Sequence, residues 1–155
     1  MGQFQASVVL PRPRGEAFNY LRVPANLLKM FPERTTRHVD ARLPDQLDLG
    51  ASMEFNIRAL GSRFQIVQQI TDFLHGEKIV ATQQKGPFKL WVHELHLADA
   101  PEGGTLLTNS IRFEPPGGLL GFIATRKLIL NHLEEWVAHG HENLRQSMAK
   151  DRKSA

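Results

Sequence analysis

The feature that most constrains this chain is a change of hydrophobic period about three-quarters of the way along it. From about Thr35 to Glu114, apolar and polar residues alternate in short runs, the signature of half-buried strands. From Leu119 to about Met148 the apolar residues Phe122, Ile129, Leu133, Trp136, Leu144 and Met148 recur at helical spacing. The second segment predicts one amphipathic helix of about 30 residues, about 45 Å long at 1.5 Å per residue. Gly140 lies inside it and implies a bend or a close packing contact.

The strand region divides at its turn residues. Met53, Phe55 and Ile57 share one face of a strand that ends before the turn cluster Leu60-Gly61-Ser62. Further strands are expected over 64–73, 78–85, 90–97 and 105–114, separated by His75-Gly76-Glu77, Gly86-Pro87 and Pro101-Glu102-Gly103-Gly104. Before them, 4–10 reads as a strand stopped by Pro11-Arg12-Pro13. A short helix carries Phe18 and Leu21, and a second begins at Pro24, carries Leu27, Leu28 and Phe31, and is ended by Pro32. This is an α+β order: about six or seven antiparallel strands whose apolar face only the last helix is long enough to cover. A strongly twisted sheet curling round that helix leaves space between the two.

Alternation also assigns the inner face. It carries Phe64, Ile66, Gln68 and Ile70; Ile79, Ala81 and Gln83; Trp91, His93, Leu95 and Leu97; and Leu107, Asn109, Ile111 and Phe113. Each of these four strands thus contributes one neutral polar group: Gln68, Gln83, His93 and Asn109. An unpartnered buried group of this kind costs about 1–3 kcal/mol. Either the four bond to one another or to water, or they face a cavity and orient the polar end of an apolar ligand.

The run Gln83-Gln84-Lys85-Gly86-Pro87-Phe88-Lys89-Leu90-Trp91-Val92-His93-Glu94 resembles the Gln-x-x-Gly-Pro-Phe-x-x-Trp-x-His signature of a bacterial ligand-binding subgroup of the START/SRPBCC superfamily, the polyketide cyclase/dehydrase-like proteins. Gly104-Thr105 with Asn109, and Pro116-Gly117-Gly118-Leu119-Leu120-Gly121, are similar to its following segments, and the layout agrees from Phe4 to about Leu144. The resemblance implies the helix-grip fold: a seven-stranded antiparallel sheet wrapped round a long C-terminal helix, two short helices after the first strand, and a cavity between. It also implies a hydrophobic ligand, since members bind lipids, sterols, hormones, quinones or polyketides, and some are cyclases. The subgroup often has Asp where Ala81 and Asn109 stand, His where Leu95 stands and Arg where His139 stands. This chain's pocket is therefore expected to be the more apolar.

The remaining features narrow the chemistry. The 155 residues suit one domain over 1–149 with a polar tail over 150–155, and the absence of cysteine excludes thiolate chemistry and disulfides. A net charge of +3 is too small for a dedicated nucleic-acid binder. With no signal-peptide layout and no apolar stretch of membrane-spanning length, a cytoplasmic location is expected. The histidines give no metal centre: His93 and His96 point to opposite faces, His139 and His141 diverge on their helix, and His132 and His139 stand two turns apart. No cofactor is expected.

The expected function is carriage of a small lipid-, isoprenoid- or polyketide-like molecule. Gln68, Gln83, Trp91, His93 and Asn109 would line the site, with Met53, Phe55, Ile57 and Ile111 as apolar wall. One alternative is a cyclase/dehydrase-type enzyme with His93 as general base and Asn109 fixing its tautomer. Another is an interaction module with a filled core. Leu27, Met30 and Phe31 would either form the cavity mouth or pack on the long helix. The basic residues Arg12, Arg14, Arg22, Lys29, Arg34 and Arg37 suggest transient contact with a membrane surface or a solvated face.

Overall fold

The computed structural model describes residues 1–30, 39–59, 62–115 and 122–154, with the side chains of 57–59, 62, 122–125 and 151–154 outside that description. The strands are β1 (Gly2–Leu10), β2 (Val39–Arg42), β3 (Ser52–Ala59), β4 (Ser62–Leu74), β5 (Lys78–Lys85), β6 (Leu90–Asp99) and β7 (Thr105–Glu114). The helices are α1 (Arg14–Leu21), α2 (Pro24–Leu28) and α3 (Phe122–Ser154). All seven strands pair antiparallel in one open sheet of order β1-β7-β6-β5-β4-β3-β2, so the chain's first strand returns to pair with its last. This is the helix-grip α+β architecture.

Alternation is sharpest in β7. Thr105, Leu107, Asn109, Ile111 and Phe113 are buried, while Leu106 and Arg112 are exposed. In β4 the register shifts between Ile70 and Asp72, leaving Thr71 without a counterpart on β5. That extra residue allows Ile70 and Phe73 both to face the core, three positions apart. β2 is four residues long, pairs with β3 and forms one edge of the sheet.

Three boundaries differ from the sequence pattern. β1 begins at Gly2 rather than Phe4, because its ladder continues through Gly2↔Phe113. α2 ends at Leu28, before Phe31, because Lys29 N–H and Met30 N–H bond three residues back, to Asn26 and Leu27, in a tighter turn. α3 continues to Ser154, past the boundary expected at 149–150. Phe31, Pro32, Arg34, Arg37, Leu60, Gly61 and the 116–121 segment lie outside the described residues.

The helix stripe Leu133, Val137, Gly140, His141, Leu144 and Met148 is the buried face of α3. Two apolar clusters divide the interior. One gathers Leu10, Phe18, Leu21, Leu47, Met53, Ile70, Ile79, Leu95, Leu97, Leu107, Leu144 and Met148. The other gathers Ile111, Phe113, Leu133 and Val137, with Phe4, Phe88, Trp91 and Trp136 against it. Gly140 meets the prediction of close packing: a Cβ there would stand 3.0 Å from the Met30 carbonyl oxygen. Met30 and Leu27, both partly buried, pack against the first cluster.

Candidate functional site

The polar groups of the inner face are not arranged alike. Gln68 and Gln83 are direct cross-strand neighbours, but Gln83 turns its amide toward its own strand end. Its Nε2–H donates to the Phe88 carbonyl at 2.6 Å. Gly86, at φ +156°, makes this approach available, since a Cβ there would lie 2.3 Å from Gln83 Oε1. The Gln-x-x-Gly-Pro-Phe run is therefore a loop clamp. It sets Phe88 4.8 Å, ring to ring, from Trp91, and both rings stand about 6 Å from Phe113. Gln68, with no hydrogen-bond partner among the described residues, keeps accessible surface.

His93 and Asn109 form the centre of the site. His93 lies opposite Ala81 on β5 and Ile111 on β7, which places Asn109 diagonally beside it. His93 Nε2–H donates to Asn109 Oδ1, and Asn109 Nδ2–H donates to His141 Nε2 at 2.8 Å. The amide thus links two imidazoles, one on the sheet and one on α3. An amide has one acceptor and one donor end, so the two rings hold opposite tautomers: the proton on Nε2 in His93 and on Nδ1 in His141. Burial holds the His93 pKa below the ordinary histidine value, against the Asn109 hydrogen bond, which raises it. Burial, and then the charge of His93, lowers that of His141. Both rings are consequently neutral near pH 7.

The three-residue bridge crosses the boundary between the two apolar clusters. Its neighbours on β6 and β7 are Leu95 in the first cluster and Ile111 in the second, and on α3 Leu144 and Val137 divide the same way. Asn109 is 1% exposed and His141 5%, whereas His93 keeps partial exposure. Among the described residues no buried side-chain nitrogen or oxygen lacks a partner. His93 Nδ1, which has no partner among the described residues, therefore keeps some accessible surface.

The other expected site residues are spread along the same face of the sheet, with Met53 and Phe55 on β3, three strands from β6. Met53 and Ile111 are buried, one in each cluster, and Phe55 and Trp91 are partly exposed on the same face as His93. The Ile57 side chain lies outside the described residues. His141 is the member that pairwise comparison of histidines misses. Its signal is the stripe 133, 137, 141, 144, 148, in which a histidine occupies a core position.

Three arginines of the basic N-terminal region are paired within the chain. Arg12 bonds the Met148 carbonyl and Glu16, Arg14 pairs with Asp99 and Glu77, and Arg22 bonds Asp48 and the Leu47 carbonyl. On the outer face a groove of about 490 Å³ is lined by Gln3, Asp72, Val80, Glu94 and Arg112 among others, and of the expected site residues it touches Ile111. There a hydrogen bond from Lys78 at 2.5 Å holds the Asp72 carboxyl below its usual range. Among the described residues no three His, Asp or Glu side chains converge as a metal site would require, and no helix is long and apolar enough to cross a membrane.

The sheet, the gripping helix and the bridged interior define the chain by fold as a helix-grip protein. No family model and no curated protein matches its sequence. Solved structures do. XoxI from Bacillus cereus superposes with a TM-score of 0.70 at 12% identity, covering 96% of each chain. The Zhui aromatase/cyclase of a Streptomyces species gives 0.69 at 10% identity, covering 96% of this chain and 93% of that one. Major latex-like protein 151 of Panax ginseng gives 0.64 at 13% identity, covering 95% and 97%. At such identities the likeness is one of fold.

Proposed function

We propose that this protein binds a small hydrophobic molecule between the sheet and α3, with Trp91, Phe55, Gln68 and His93 against it. One observation carries the reading. These side chains share the inner face of the sheet, Phe55 against the first apolar cluster and Trp91 against the second, and still keep accessible surface. A filled core would have closed over them. Lipid-, isoprenoid- or polyketide-like ligands suit such a wall: aromatic and aliphatic, with few polar groups.

The His93–Asn109 hydrogen bond favours a second reading, a cyclase/dehydrase-type enzyme, because it fixes the tautomer a general base needs. The likeness to an aromatase/cyclase lends it support. Binding is preferred, because burial lowers the basicity of His93 and so weakens it as a proton acceptor.

Native mass spectrometry after mild purification tests the proposal, with a co-purified apolar species as the expected result. Trp91 gives a second readout in a Trp136→Phe background: saturable fluorescence change on titration with a hydrophobic compound supports binding. A protein that carries nothing and leaves Trp91 unchanged across lipids, isoprenoids and polyphenols would refute it.

A further inference from the structure

Among the described residues the His93 end of the bridge leaves one acceptor unmet, and its sign says what kind of polar group the ligand brings. Asn109 Nδ2–H is used on His141, so Asn109 Oδ1 faces His93 and must be met by a proton on His93 Nε2. The other ring nitrogen, Nδ1, is then a bare lone pair. It is accessible, while Asn109 and His141 behind it are sealed. The inner-face neighbours of His93 are Ala81, Ile111, Trp91 and Leu95, none of which can donate to it across the space apart from the Trp91 indole.

Resting on the binding reading above, we infer that the ligand presents a neutral hydroxyl, phenolic or alcoholic, that donates to His93 Nδ1. A carboxylate would set its own lone pairs against that of Nδ1 and would carry the cost of desolvating its charge. An ether or a ketone would leave Nδ1 unmet, an accessible polar atom stripped of water with nothing in return. The aromatic pair Phe88 and Trp91, two residues along the same face, suits a planar frame carrying that hydroxyl.

Three probes with one frame separate the outcomes: naphthol, methoxynaphthalene and naphthoate, titrated calorimetrically into the full chain at about pH 8, above the ordinary histidine range. Naphthol is expected to bind about fivefold to tenfold more tightly than its methyl ether, the worth of one neutral hydrogen bond, and naphthoate most weakly. In His93→Phe the ratio of naphthol to ether should fall to about one. A proton–nitrogen NMR correlation on the unmutated protein needs no variant to fold, and should place the His93 proton on Nε2. Equal affinity for naphthol and ether, or a His93 proton on Nδ1, overturns the hydroxyl inference and leaves the binding reading standing. Uptake of none of the three overturns both.

Discussion

Replacing Asn109 by leucine tests whether the amide truly joins sheet to helix. Leucine keeps the Cγ branching and heavy-atom count of asparagine, so the substitution removes hydrogen bonding without leaving a cavity, although its methyl groups are bulkier. Two bonds are lost, each worth about 1 kcal/mol net. His141 Nε2, in a side chain 5% exposed, is left without a donor, which adds about 1–3 kcal/mol. The gain from burying leucine offsets part of this. Asn109→Leu should therefore cost about 2–4 kcal/mol in urea denaturation at about pH 8, with the slope of the transition unchanged.

The decisive measurement is the cycle with His141→Leu. That single variant strands Asn109 Nδ2 and should cost about 1–3 kcal/mol. In the double variant the amide and the helix imidazole vanish together, and two leucines join apolar clusters already present on both sides. The double should then fall short of the sum of the singles by about 1–2 kcal/mol. Additivity within about 0.5 kcal/mol would refute the bridge, since independent groups add.

Stability should also depend on pH with a defined sign. The imidazoles of His93 and His141 titrate lower in the folded chain than the ordinary value of 6.5, so the unfolded chain binds protons first. Stability is fully present above 6.5 and is lost as pH falls through the window below it, at up to about 1.4 kcal/mol per pH unit for each ring. Denaturation midpoints that stay level from about pH 7.5 to 5.5 would contradict this. Gly86→Ala should push the Gln83 amide off the Phe88 carbonyl and cost about 1–2 kcal/mol. Trp91 emission should shift as Phe88 moves, and an unaltered spectrum would show that the clamp does not position the ring.

The sheet and the long helix were legible because their signals are periodic and long. Alternation located β3 to β7 and put Gln68, His93 and Asn109 on the inner face, where backbone pleating leaves a side chain no choice of side. Four-residue β2 was not separable within its region, since so short an edge strand carries too few alternations to count. Side-chain direction beyond the face was not legible either. Gln83 belongs to the inner face by pleat, yet its amide is captured five residues on by a loop whose geometry depends on Gly86. His141 was hidden for a different reason. Compared with His139 it diverges, as two residues on a helix must, and only its place in the core stripe tells that it faces the sheet.

That stripe also bears on the choice between a structural network and a site. Polar networks that serve packing close on themselves. Asn143 bonds the Lys29 carbonyl and His139, and Gln83 bonds Phe88; each ends on a protein partner. The His93–Asn109–His141 bridge is buried at its helix end and partly exposed at its sheet end, where His93 Nδ1 has no partner among the described residues. Burying three polar side chains where two apolar clusters could have merged costs stability even with every inner bond made. Such an expense, combined with one unmet acceptor beside two aromatic rings, is accounted for by a ligand that supplies the missing donor. A general base would use the same lone pair, but it needs a proton affinity that burial has lowered. A binding site needs only the lone pair and its direction, and both survive the neutral state in which the protein holds His93.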